Sequence, residues 1–163
     1  MERKKKIIII LLIIIIPIIT ILTIFTIRYF TYSKSVDDIK TIEISTYKGY
    51  LSPSNKYNID FDKNLVTYNY TYLNQTNNDN QCSSRNFTKE DSEYFIKKAN
   101  LYGFFNWKES YKAKYNGADL PSTNIYITFK DNSVQEIYCL AEFPPNYDKM
   151  AEVFHEAFGY NIL

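Results

Sequence analysis

The chain has 163 residues, with 19 Lys and Arg against 18 Asp and Glu, two Cys and one His. That length holds one ordinary domain beyond any targeting segment. The near-even charge balance argues against a nucleic-acid binder, whose phosphate contacts need clustered cations, and so few Cys and His argue against a zinc cluster.

The first element in chain order is a run from Ile7 to Ile27, twenty-one residues without a charge. At about 1.5 Å per helical residue it spans roughly 30 Å, the thickness of a bilayer's hydrocarbon core. It has no polar face. Its only polar side chains are Thr20, Thr23 and Thr26, whose hydroxyls are expected to bond carbonyls three or four residues back. Pro17 is expected to kink the helix near its middle, which membrane helices tolerate. Arg3, Lys4, Lys5 and Lys6 precede the run, so the positive-inside rule keeps the amino terminus in the cytoplasm. A secretory signal has a shorter apolar region and small residues at its cleavage site; Arg28 to Ser33 is bulky, which favours an uncleaved signal-anchor. The expected organisation is a basic stub over 1–6, a transmembrane helix over 7–27, a spacer over 28–38 and an extracytoplasmic domain over 39–163. Removing the first 28 residues takes away five basic groups and one acidic group, leaving 14 against 17, a net charge of −3 for the remainder.

The chain has 16 Tyr and 11 Phe, all but Phe25 in that remainder, which reads as a sheet-rich domain with an aromatic core. Ile39 to Tyr47 alternates as a half-buried strand. Gly49 to Asn55 reads as a loop. Tyr57, Ile59 and Phe61 alternate, Asp62-Lys63-Asn64 turns the chain, and Leu65 to Leu73 completes a hairpin with Tyr68, Tyr70 and Tyr72 on one face. Asn74 to Arg85 has almost no apolar residue and is expected to be an exposed loop. Three sequons begin at Asn69, Asn74 and Asn86, a number close to what chance gives in an Asn-rich chain.

Thr88 is placed to cap a helix, with Asp91 reaching back as in a capping box. Phe95, Ala99 and Tyr102 share a face of that helix with Ile96 beside it, and Gly103 ends it in a left-handed turn. Phe104, Phe105 and Trp107 anchor an irregular connection that includes Lys108 to Asn116. Ile125, Ile127 and Phe129 alternate in a strand. A turn at Asp131-Asn132-Ser133 would pair Ile127 with Ile137 and Ile125 with Cys139. Pro144-Pro145-Asn146 starts a last helix whose core face holds Tyr147, Met150, Ala151, Phe154, Ala157 and Phe158, and Gly159 ends it. The expected class is α+β: an antiparallel sheet in the order β-β-β-α-β-β-α, with two helices packed on one face.

From Phe87 to Gly159 the chain resembles small extracytoplasmic domains of unknown function on microbial lipoproteins and membrane-anchored proteins. The motifs that carry the likeness are the helix end Tyr102-Gly103-Phe104-Phe105, the loop Gly117-Ala118-Asp119 before a strand, and the Pro-led final helix. Those domains often have extra Cys and Gly in their first strands, which this chain lacks. The resemblance implies a fold and a location, with no chemistry attached.

Few residues invite a catalytic reading. His155 has Glu152 and Glu156 nearby, but no Ser or Cys is positioned beside it by any motif, and a catalytic His needs a nucleophile. It reads as a rim residue of the last helix. Asp60, Asp62 and Asn64 mimic the start of a calcium loop, yet Val66 stands where that loop needs Gly and Thr71 where it needs Glu. No catalytic residue, cofactor or metal site is expected. Trp107 with Lys108, Lys112 and Lys114 makes the candidate ligand surface, suited to a sugar or peptide or to an anionic envelope polymer. An oxidising location would pair Cys82 with Cys139, closing a loop of about 56 residues valued at roughly 4 kcal/mol by chain entropy. The functional expectation is a binding or protein-interaction domain at the cell envelope, touching lipid through residues 7–27; the alternative is an anchored or secreted envelope hydrolase.

Overall fold

A strand with isoleucine at alternate positions has one face to bury; Ile39–Tyr47 (β1) does this at Ile42 and Ile44, with a register irregularity between Ile39 and Thr41, and it lies at the centre of a seven-stranded sheet. The computed structural model describes residues 13–24, 33–49, 54–71, 81–114 and 119–163. Ile39, Ile42 and Ile44 are wholly buried. On one side β1 pairs antiparallel with Ser54–Asp60 (β2), and on the other with Ser122–Phe129 (β6). The β2–β3 hairpin expected from the alternation is present, with β3 at Leu65–Thr71. Its turn uses Asn64 at φ 51°, a conformation that Asn tolerates. Asp60 Oδ1 accepts the amides of Asp62 and Lys63 at 3.1 and 3.0 Å, so this acidic segment is engaged in turn formation.

With further strands at Gln81–Asn86 (β4), Ser110–Lys112 (β5) and Val134–Leu140 (β7), the sheet order is β4-β3-β2-β1-β6-β7-β5, which differs from the expected topology by two strands. The first, β4 at Gln81–Asn86, lies in the stretch read as an exposed loop. It is an edge strand held by backbone pairing to β3, and it has no apolar alternation because its helix-side residues are Ser83 and Arg85. Ser83 Oγ is 3.2 Å from the Tyr160 hydroxyl, and the Arg85 guanidinium lies against Gly159, where a Cβ would overlap it. The second, β5 at Ser110–Lys112, lies in the connection read as irregular and pairs in parallel with β7 (Val134–Leu140). The sheet is therefore mostly, and not wholly, antiparallel. The β6–β7 register also differs: Ile125 faces Ile137, and Thr123 faces Cys139. The turn starts one residue earlier than expected, at Lys130, because Asn132 takes φ 64° and closes a three-residue loop with its N–H on the Phe129 carbonyl at 3.0 Å. The resulting slip is two residues, an even number, so the faces are unchanged.

Two helices cover one face of the sheet. The first, α1, runs Lys89–Tyr102 and starts as expected: Asp91 N donates to Thr88 Oγ1 at 3.1 Å, and Asp91 Oδ2 accepts from Thr88 N at 2.8 Å. Gly103 ends it at φ 73°. The second, α2, runs Tyr147–Phe158 and buries Met150, Val153, Phe154, Ala157 and Phe158. Val153 belongs to this face although the periodicity did not select it, and Ala151 is only half-buried. Phe95 of α1 meets Phe154 and Phe158 of α2 at centroid distances of 4.8 and 5.0 Å, and Phe61 and Phe87 extend the cluster under the sheet. The opposite face of the sheet is polar, with Glu43, Lys56, Thr67, Asn69 and Asn124 directed away from the core.

The compact unit begins at Lys34, inside the stretch read as a spacer. Val36 packs on the core, and the Asn100 side chain bonds both the N–H and the carbonyl of Lys34, at 2.9 and 2.7 Å. Residues 1–33 form a separate unit. Within it 13–24 is helical, and the hydroxyls of Thr20 and Thr23 donate to the carbonyls of Ile16 and Ile19 at 2.8 Å each. Thr26, and the ends of the charge-free run at 7–12 and 25–27, lie outside the described residues, as do Tyr72 and Asn74. Among the described residues no helix is long and apolar enough to cross a membrane.

Phe154→Ala should cost roughly 3–5 kcal/mol, the range for a buried Phe truncated at a site enclosed on all sides; denaturant titration measures it, and a loss below about 1 kcal/mol would contradict this packing. Acid sensitivity follows from the turn and cap carboxylates. Hydrogen bonds from the Ser35, Thr88 and Ser133 backbones and side chains hold Asp38, Asp91 and Asp131 below their ordinary value of 3.8. A carboxylate depressed in the folded state adds stability above its unfolded pKa and loses it as pH falls through the folded one. The urea midpoint should therefore be level above about pH 5 and decline below about pH 4, with a smaller decline in Asp91→Asn.

Candidate functional site

Two concavities of the described surface lie on opposite sides of the sheet. The more apolar one forms where α1 and β7 both stop. Gly103, in the left-handed conformation, turns the chain out of α1 into a short 3-10 turn over Phe104–Asn106. Both Phe residues of that turn are buried, which carries Trp107 down against the core. The Trp107 ring meets Phe104 edge-on at 4.9 Å and stacks on Tyr147 at 6.0 Å. Gln135 Nε2 donates to the carbonyls of Phe105 and Trp107 at 3.3 Å each, tying this turn to β7. The Tyr111 hydroxyl accepts the Lys108 N–H at 2.9 Å.

The other wall is the passage from β7 to α2. Ala141 and Asn146 both have positive φ, 51° and 62°, so the chain reverses twice around Glu142-Phe143-Pro144-Pro145. The Asn146 side chain donates to the Tyr102 carbonyl at 3.2 Å, joining the two walls. Phe143 stays 40% exposed with its ring 4.4 Å from Tyr147. Between the walls is a cleft of about 630 Å³ lined by Tyr102, Asn106, Trp107, Lys108, Tyr111 and the Glu142–Pro145 segment. Among the described residues, Lys108 and Glu142 are its only charged lining groups. Burial pushes the Tyr147 phenol up to about 12, against the opposing pull of its bond with Thr123 Oγ1 at 3.1 Å, so Tyr147 is neutral near pH 7 and serves as an apolar support. Trp107 is 6% exposed, and its indole Nε1 is a buried donor with no acceptor among the described residues.

The second concavity, about 660 Å³, lies on the helix-free side across β6, β7 and β5. Lys112 belongs there, its ammonium 5.4 Å from the Tyr138 ring centroid, with Tyr126, Glu109 and Glu136 around it. The four residues expected to share one ligand surface are therefore divided. Trp107 and Lys108 line the cleft, Lys112 lines the groove on the opposite face, and Lys114 is exposed and lines neither. A residue alternation in β5 separates them: Lys112 points to the helix-free face while Tyr111, next to it, points to the cleft. Trp107 offers no open ring face for stacking. Phe143, Pro144, Pro145 and Tyr111 were not foreseen as lining; Pro144-Pro145-Asn146 was legible as a helix start, and nothing in the sequence brings it beside Trp107.

His155 is exposed on α2, and its carbonyl accepts the Gly159 N–H at 2.8 Å. The Tyr94 hydroxyl donates to the Glu156 carboxylate, linking α1 to α2 at the surface. The disulfide is not formed. Cys82 and Cys139 are free thiols, the first exposed and the second buried. They stand on opposite faces of the sheet, five strand spacings apart, on the order of 24 Å. A disulfide needs Cα atoms within about 7 Å. Comparison with protein-family models, with curated proteins and with solved structures finds no match to this chain.

The two thiols should differ sharply in reactivity. Burial pushes the Cys139 thiol up to about 11, so it lacks both access and thiolate at neutral pH. A maleimide reagent should label one thiol, Cys82, in the native protein and two in denaturant, as read by intact mass. Equal labelling of both in the native state would contradict the burial of β7.

Proposed function

We propose that the chain is a single-pass membrane protein, amino terminus in the cytoplasm, whose residues from Lys34 onward form an extracytoplasmic binding domain. The observation that carries the location is the twenty-one-residue charge-free run with four basic residues before it. A run of that length matches the hydrocarbon core, and its flanks carry the charge asymmetry that orients single-pass proteins. The Thr20 and Thr23 hydroxyls bonded within their own helix suit a segment that meets lipid. The resemblance of residues 87–159 to extracytoplasmic domains points to the same side of the membrane.

Binding is supported by the cleft between the end of α1 and the β7–α2 passage. It is a concave, largely aromatic and proline-lined site with a few polar groups at its rim, the composition of ligand pockets generally. Its ionisable lining is Lys108, Glu142 and two tyrosines, and a hydrolytic site would want a nucleophile within reach of a base. No observation favours the hydrolase reading.

The location is tested on intact cells carrying an amino-terminal epitope. Added protease should remove the domain while the epitope stays protected; a protected domain, or an epitope lost from sealed cells, overturns the assignment.

A further inference from the structure

We propose that the free edge of β4 pairs antiparallel with the same strand of a second copy of this chain, joining two sheets into one. The basis is the direction of the backbone groups. The Phe87 N–H donates to the Asn64 carbonyl at 3.0 Å, and the β3–β4 register runs on from that pair without a shift. In an antiparallel ladder, residues that bond their neighbour alternate with residues whose N–H and C=O point the other way. Phe87, Arg85 and Ser83 therefore bond towards β3, while Cys82, Ser84 and Asn86 present their backbone groups to the open edge. All three are exposed, and among the described residues nothing bonds those outward groups.

A row of unpaired groups is a template for another strand, and proteins blunt it with Pro, Lys, a bulge or extreme shortness. The far edge of this sheet follows that rule, since β5 has three residues and ends in Lys112. β4 has six residues, with no Pro, no Lys and no bulge. Its one charge, Arg85, is folded back against Gly159 of its own domain, out of the path of an incoming strand.

The second copy fits because β4 is complementary to itself. With Ser84 opposite Ser84 of the second copy, Cys82 falls opposite Asn86. All three outward residues of each chain are then bonded, by about six backbone hydrogen bonds. Arg85 faces Ser83 of the second copy in this register. A shift of two residues either sets the two Arg85 side chains opposite each other, where like charges repel, or leaves the Asn86 groups unpaired. Cys82 does not meet its equivalent, so the contact is non-covalent.

The full-length protein in dodecylmaltoside micelles is examined by sedimentation equilibrium, and a reversible monomer–dimer association is expected. Ser84→Pro removes an outward N–H and sets a ring in the partner's path. An edge position whose N–H faces solvent tolerates proline, so circular dichroism should stay unchanged while the dimer dissociation constant rises about tenfold or more. In a Cys82→Ser background, Ser84→Cys should give a covalent dimer on mild oxidation, because the Cα atoms of a hydrogen-bonded pair stand about 5.5 Å apart. Val134→Cys, at an exposed position of β7, should stay monomeric under the same oxidation. A wild-type chain that is monomeric throughout, a dimer unaffected by Ser84→Pro, or Ser84→Cys cross-linking no faster than Val134→Cys overturns the proposal. Should Ser84→Pro lose its fold, the cross-link decides. Pairing through β4 is independent of the membrane assignment, which the protease experiment tests.

Discussion

The domain depends on β1 being paired along its length on both sides. With β2 on one edge and β6 on the other, its backbone groups are satisfied within the sheet, and its inward isoleucines can be sealed from water without leaving polar atoms orphaned. Strands two and three places away are then located by pairing alone. This is how a polar segment such as β4 can be ordered at the edge with no hydrophobic pattern of its own. A second lock acts above the sheet. Phe95, Phe154 and Phe158 pack with tilted rings, burying large apolar side chains against one another, and they fix α1 against α2. The entry of the chain is fixed to the same layer by Asn100, which bonds both backbone groups of Lys34.

The cleft is a consequence of how these elements end. Three residues with positive φ, Gly103, Ala141 and Asn146, flank it, and each turns the chain sharply where a helix or strand stops. Gly103 takes this conformation without penalty. Ala141 does so at a cost of about 1–2 kcal/mol, held by its N–H on the Pro121 carbonyl at 2.9 Å. Between these reversals the backbone does not close over the Phe143 side chain, so an apolar recess stays open beside the core. Its walls are short segments anchored at both ends, by Gln135 on one side and Asn146 on the other. Such an arrangement presents a recess whose shape is set by the fold itself.

The helix-free face shows the opposite strategy. It carries charged and amide side chains with Tyr126 and Tyr138 among them, and its ion pairs, such as Lys56 with Glu43 at 3.2 Å, are exposed. Pairs of that kind contribute little to stability. The face is solvated, in the manner of an antiparallel sheet covered on one side only, and the core is made entirely between the sheet and the two helices.

By itself the sequence determined the elements whose signals are local. The β1 and α1 boundaries, the Thr88 cap with Asp91, the Gly103 and Gly159 stops, the β2–β3 hairpin and the Phe154 face follow from side-chain period and capping chemistry, which act within a few residues. Only the tertiary structure decided what depends on partners far along the chain. β4 exists because β3 offers its edge, and β5 because β7 does, and neither Gln81-Cys82-Ser83-Ser84 nor Ser110-Tyr111-Lys112 carries an alternation that would reveal it. The β6–β7 register turned on whether Asn132 or Ser133 closes the loop, a choice made by one left-handed residue. The separation of Cys82 from Cys139 and of Trp107 from Lys112 is set by sheet order and strand parity, quantities that spacing along the chain does not encode. The cleft likewise joins a turn near residue 105 to a passage near residue 144, and the physical link between them is the packing of Trp107 on Tyr147, which arises only once α2 is docked.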